Sequence, residues 1–232
     1  MRGFVVAMSL ALSGTALLAD TAKERLTEAA SVMTEIMNTP DNSIPQDLLA
    51  KAECVVIVPG MKKAAFVVGG EYGRGFVECR NPNRGWGAPA AVRMEGGSLG
   101  FQIGGSSTDL VMLVMNQRGM TKLLEDKFTL GADAVVAAGP VGRNAAANTD
   151  AKMTAEILAW SRSKGLFAGV SLKGATLRPD QDQNEQLYGK KMSNKEVLSG
   201  SVSAPPEARA LISTLDKYSS VRDTNADRSK DK

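Results

Sequence analysis

Apolar residues between positions 20 and 38 recur at three- and four-residue spacing: Ala22, Leu26, Ala29, Met33, Ile36 and Met37. That period predicts an amphipathic helix, with Asp20 or Thr21 placed to cap its start. Pro40 ends it, because proline disfavours helix in the residue before it. A second short helix is expected over 44–52, with Pro45 in its first turn. From Cys54 the period shortens to two. Compact apolar or alternating runs at 54–58, 64–68 and 73–79 are separated by Pro59-Gly60 and Gly69-Gly70, and the last ends at Asn81-Pro82-Asn83. Runs at 88–93, 98–103 and 110–115 continue the series, which reads as short antiparallel strands joined by turns. A connecting helix over 119–127 and a strand over 132–138 follow, then a glycine- and proline-rich turn at 139–143. Short helical pieces are expected at 183–188 and 194–198, and a terminal helix at 205–218. The polar residues 220–232 read as a disordered tail.

The segment 160–174 is unlike the rest. Leu166, Ala168, Val170 and Leu172 share one parity, and Phe167, Gly169, Ser171 and Lys173 the other, which predicts a half-buried strand fed by an apolar strand from Met153 to Ala159. Trp160, Arg162 and Lys164 form an aromatic followed by two cations on one parity. Such an edge suits a surface that meets phosphate and apolar material together. Trp160 and Phe167 have two readings, one in the interfacial zone of a membrane and one in the core.

The first residues change the compartment expected for the chain. Arg2, an apolar run from Phe4 to Leu12 and small residues up to Ala19 follow the order of a secretory signal peptide. Cleavage is expected after Ala19, leaving a domain at 20–198 and a C-terminal helix and tail at 199–232. An oxidising compartment favours pairing of Cys54 with Cys79, two buried free thiols being the alternative. The formal net charge of +3 is too small for a general nucleic-acid binder. Its distribution is uneven, however. Residues 20–50 carry six acidic and two basic side chains, whereas 62–93 carry six basic and two acidic.

Catalytic chemistry finds no footing. The chain has no histidine, so neither a Ser-His nor a Cys-His nucleophile can assemble, and two thiols alone make no zinc site. The glycines at 69, 70, 73 and 75 separate two β-rich runs rather than a strand and a helix, so a hairpin explains them better than a nucleotide loop. No cofactor and no metal are expected. Lys62, Lys63, Arg74, Arg143, Arg162, Lys164 and Lys173 lie beside glycine-rich turns, where main-chain amides help hold an anionic headgroup.

Several motifs together carry a resemblance. They are Trp86-Gly87-Ala88-Pro89, Gly97-Ser98-Leu99-Gly100-Phe101-Gln102-Ile103-Gly104, Thr108-Asp109-Leu110-Val111, Gly131-Ala132-Asp133-Ala134, Gly139-Pro140-Val141-Gly142-Arg143 and the block at 160–174, with Tyr188-Gly189 downstream. In this order and spacing the chain resembles the SYLF domain proteins over about residues 20–198. The resemblance implies a non-enzymatic lipid-binding module; its eukaryotic relatives bind phosphoinositides and, in some, actin, with an N-terminal amphipathic helix at the membrane. Bacterial members are typically secreted or periplasmic. The chain departs from the family pattern at Gly87, Trp160 and Lys173, and its helix at 20–38 is net acidic rather than basic.

The expectation is therefore an α+β domain, an antiparallel β-rich barrel or sandwich with an N-terminal amphipathic helix and short peripheral helices. Its expected partner is an anionic phospholipid or membrane surface of the periplasm, met through Lys62, Lys63, Arg74, Arg143, Trp160, Arg162, Lys164, Phe167 and Lys173. The rival is an envelope structural or assembly role through another protein.

Overall fold

The computed structural model describes residues 21–39, 43–65, 68–81, 85–99, 104–141, 155–163, 166–170, 172 and 174–219. The signal-peptide segment and the C-terminal tail expected from the sequence lie outside the described residues. Helix α1 (Ala22–Met37) starts at Thr21, whose hydroxyl accepts from the Glu24 N–H while Glu24 Oε2 accepts from the Thr21 N–H at 2.8 Å. This reciprocal box satisfies two of the amides a helix start leaves open. Helix α2 (Gln46–Lys51) follows, and then the strands.

Among the described residues, ten strands form one sheet. They are β1 (Cys54–Ala65), β2 (Val68–Asn81), β3 (Gly85–Trp86), β4 (Ala90–Leu99), β5 (Gly104–Val114), β6 (Phe128–Thr129), β7 (Val136–Ala138), β8 (Ile157–Ser163), β9 (Leu166–Gly169) and β10 (Thr176–Pro179). The order is β6-β10-β4-β2-β1-β5-β8-β7, with β3 on β2 and β9 on β8. Every pair is antiparallel except β7 with β8. The edge strands β6 and β7 stand at opposite ends of this path, yet only residues 130–135 separate them in the chain. A segment of that length spans at most about 20 Å. The sheet must therefore curl until its two edges approach, which gives the barrel-like form expected from the sequence.

Curling buries both faces. The inner face holds Val56, Val58, Met61, Val77, Met94, Leu110, Met112, Phe128, Ile157 and Leu177. The outer face presents Val55, Ile57, Phe76, Val111, Leu158 and Trp160 to α1 and to the C-terminal helix. That last helix ends the set: α3 (Gln117–Leu123), α4 (Gln181–Tyr188), α5 (Asn194–Val197) and α6 (Arg209–Tyr218), the last led in by a short 3₁₀ turn, Pro206–Ala208. Leu26, Ala29, Met33, Leu211 and Leu215 are all fully enclosed between α1, α6 and the sheet. The apolar face of α1 is thus occupied inside the molecule.

The structure departs from the sequence reading at several places. The run that stops at Pro59-Gly60 does not end a strand. β1 continues through the pair as a bulge, with register shifts between Val58 and Met61 toward β5 and between Ile57 and Lys62 toward β2. Proline has no N–H to lose from a ladder, and Gly60 takes a φ of +56°, so a bulge accommodates both. The freed Gly60 N–H donates to Asp109 Oδ1 at 2.9 Å. The glycines of β2 belong to the same feature. A Cβ on Gly75 would stand 2.0 Å from the Ile57 carbonyl oxygen, and one on Gly73 would stand 2.5 Å from Val58 Cγ1.

The second departure is the strand expected over 132–138. It is reduced to β7, because Gly131 (φ +81°) and Asp133 make a turn in which the Asp133 carboxylate accepts from the Thr129 N–H at 2.6 Å. In β9 the structure decides a point that alternation left open: Leu166 is 76% exposed and Phe167 only 8%, while Val170 and Leu172 beyond the strand join the inner core. Cys54 and Cys79 face each other directly across β1 and β2 and are joined as a disulfide.

Candidate functional site

The cations expected to form one surface separate when the strands are placed. Lys62 lies on the outer face beyond the bulge, exposed, opposite Tyr72 of β2 and Ser107 of β5. Its neighbour Lys63 points to the other face, as alternation in a strand requires, and pairs with Glu71 at 3.2 Å. Arg74 shares the outer face with Lys62. Its Nε donates to the Tyr72 hydroxyl at 2.8 Å and lies 3.1 Å from Asp180 Oδ2, a carboxylate with 2% of its side chain exposed. Burial pulls the Arg74 pKa down, but the Tyr72 hydroxyl and the charges of Asp180 and Asp182 outweigh it and raise it. Arg143, Lys164 and Lys173 lie outside the described residues.

The block at 160–174 is corrected more strongly. Trp160 is completely buried, with its Nε1–H donating to the Pro140 carbonyl at 2.9 Å. A Cβ on Gly139 would fall 2.0 Å from the indole, so that glycine is what lets the turn lie against the ring. Phe167 packs in the same outer core. Neither aromatic is offered to lipid in this structure, because both complete the layer beneath the helices.

Arg162 is also engaged within the fold. Its Nε and Nη2 reach Asp109 Oδ2 at 2.8 and 2.7 Å, and its Nη1 meets Glu35 near the end of α1. Asp109 in turn holds the bulge amide of Gly60. One guanidinium thus joins β8, β5, the β1 bulge and α1. Arg162→Ala should lower stability by about 2 kcal/mol, since charge-assisted hydrogen bonds are lost and Asp109 keeps only part of its partners. A denaturant titration measures the loss, and faster amide exchange in the last turn of α1 locates it.

Residues that sequence reasoning passed over now join Lys62 and Arg74. The register sets Arg74 of β2 directly opposite Arg93 of β4, and Arg93 directly opposite Arg178 of β10. All three project from the outer face, since Phe76, Ala91 and Leu177 fix the parity of their strands. The next row is Lys62, Tyr72, Glu95 and Thr176. Glu95 sits between two arginines, 3.0 Å from Arg93 Nε and 3.7 Å from Arg178 Nε. Tyr72 is 43% exposed. Asp180, which caps α4 through the Gln183 N–H, anchors Arg74 from the side. The result is a basic patch with an accessible aromatic, on the part of the outer face beyond the layer formed by α1 and α6. Its members come from four strands, so only the pairing register assembles it. The strand carrying Arg178 was not anticipated at all.

The arrangement can attract and orient an anion, and among the described residues no group of histidine, cysteine and acid side chains could hold a metal ion. No described helix is long and apolar enough to cross a membrane.

Comparison with known proteins adds an independent line. Residues 95–218 match the family model Ysc84, described as "Las17-binding protein actin regulator". The chain is 33% identical over 202 residues to the human SH3 domain-containing YSC84-like protein 1, covering 84% of this chain and 59% of that protein. The bovine protein of the same name gives 32% over 202 residues, with the same coverage. LAS seventeen-binding protein 3 of Saccharomyces cerevisiae is 36% identical over 179 residues, 76% of this chain and 39% of the yeast protein. The chain therefore spans about three fifths of the animal relatives and less of the yeast one.

Proposed function

Because the chain belongs to the SYLF family, recognised through its Ysc84 match, we propose that it is a non-enzymatic protein that binds anionic phospholipid surfaces, in the periplasm or another oxidising compartment. The observation that carries this reading is the outer-face patch of Lys62, Arg74, Arg93 and Arg178 around the exposed ring of Tyr72. Cations attract a negatively charged membrane surface, and a tyrosine ring with a polar tip suits the headgroup level. The Cys54–Cys79 disulfide supports the oxidising compartment. Since α1 has its apolar face enclosed and its exposed side carries Glu24, Glu28 and Glu35, the patch on the sheet is the better candidate for membrane contact than the helix.

Sedimentation with vesicles tests this. The protein should pellet with vesicles of phosphatidylcholine and phosphatidylglycerol, more as the anionic fraction rises and less as salt rises. Equal or negligible pelleting with neutral and anionic vesicles would remove the reading. The description of the family as Las17-binding favours a second one, in which the same domain holds a protein partner. A crosslinked protein retained by a chain that ignores every vesicle would support it.

A further inference from the structure

We propose that Arg74, Arg93 and Arg178 form a phosphoryl-binding row, with Arg93 and Arg178 gripping the phosphate oxygens through their terminal nitrogens. The inference deepens the membrane reading of the same face and rests on it for the source of the phosphate.

The register supplies the first argument. Arg74 faces Arg93, and Arg93 faces Arg178, on neighbouring strands about 4.8 Å apart. Like charges directly opposite one another destabilise a sheet. An anion lying along the row turns that repulsion into attraction.

The carboxylates already present do not fill this role. Glu95 and Asp180 are the two acids in ion pairs with the row, against three guanidiniums and the nearby Lys62. Each ion pair is made through Nε, and Glu95 is not aligned to accept a hydrogen bond there: the Nε atoms of Arg93 and Arg178 are sealed from solvent without a hydrogen-bond partner. Among the described residues, the terminal nitrogens of the three arginines make no hydrogen bond. The side chains are thus held at the inner nitrogen, with the forked ends left uncommitted. A guanidinium fork matches the oxygens of a phosphate, and neighbouring forks at strand spacing can share one group. The adjoining Tyr72 ring and Lys62 favour a phosphate borne on a lipid headgroup over a free phosphate ester.

The test uses the full chain as Arg93→Gln/Arg178→Gln, keeping Arg74 because Asp180 needs its partner. A control, Lys122→Gln/Lys195→Gln, removes the same charge from helix positions that are not members of the row. Inorganic phosphate should raise the melting temperature of the natural sequence and of the control, relative to chloride at equal ionic strength, and leave the row variant unmoved. Without phosphate the row variant should melt higher than the natural sequence, because the opposed charges are gone. Affinity for anionic vesicles should fall roughly tenfold or more in the row variant alone, the scale of one or more lost charge-assisted hydrogen bonds. A row variant that responds to phosphate as the natural sequence does overturns the row. Loss of the phosphate response with vesicle binding intact supports the row and removes the headgroup as its source. A natural sequence that responds to phosphate but ignores all vesicles upholds the row while the membrane reading fails.

Discussion

Glu78→Met should stabilise the folded chain at neutral pH by about 1–3 kcal/mol, the usual cost of a buried polar group without a partner. Glu78 is 1% exposed, lies opposite Val55 on the outer face of β2, and neither carboxylate oxygen has a hydrogen-bond partner. Burial pushes its pKa well above the ordinary 4.5, and the charge of Asp216 on α6 pushes it further. The phenol of Tyr188, which donates to the Pro89 carbonyl at 2.5 Å, is held protonated by burial and then by the Glu78 charge. The sign of the pH dependence follows from these directions. Below pH 4.5 both folded and unfolded chains bind the proton, and this group makes stability no more sensitive to pH. Above it the unfolded chain releases the proton first, so stability falls as pH rises until the folded carboxyl also ionises. Denaturant midpoints measured from pH 4 to pH 9 should show the natural sequence losing stability across that window relative to Glu78→Met. Glu78→Gln should remove the slope while retaining more of the polar burial cost. Parallel curves for all three chains would contradict a protonated Glu78.

Reduction of the Cys54–Cys79 disulfide should cost about 3.5 kcal/mol, the loop-entropy value for a closure of 25 residues. The two sulfurs lie inside the inner core with Val56, Val77 and Ala90, so access requires local opening of the β1–β2 ladder. Reductant alone should therefore act slowly, and much faster in mild denaturant. A Cys54→Ala/Cys79→Ser chain, which cannot form the bridge, should lose a similar free energy of unfolding, read as a lower denaturant midpoint. An unchanged midpoint would mean that the unfolded chain is as restricted without the bridge as with it.

The disulfide shows what local sequence can convey. Two cysteines in one β-rich stretch needed only strand pairing to meet. The glycines at 69 and 70, read as a turn, lie inside β2, however, and it is the register of β1 on β2 that sets the pair opposite. Helix α1 was equally legible in its period, and Thr21 is one of the two residues expected to cap it, because every signal lies within one helix. Tertiary context decided the rest. The strand parity at 166–169 could not be oriented from alternation, since the sheet is buried on both faces and Phe167 has a core to enter on the side opposite Leu166. Pro59-Gly60 read as a stop because the compensating partner, Asp109, is remote in the chain. Trp160 and Arg162 were prominent as a surface pair, but Gly139 and Asp109, respectively, draw them into the fold. The arginine row was the least legible, because its three members span residues 74–178 and meet only through two strand registers.

Helices α1 and α6 run side by side in the same direction: Lys23 pairs with Glu207, the hydroxyls of Thr34 and Thr214 lie 3.3 Å apart, and the Tyr218 hydroxyl donates to Asn38. The consequence concerns the order of assembly. The outer face of the sheet cannot be sealed until α6 docks, so α1 lies open until a partner remote in the chain joins it. Trp86, whose indole N–H donates to Ser219 at the end of α6, is completed only at that final step. Without α6 docked, an apolar groove stands open beside α1, which makes α6 the closing wedge of the described fold.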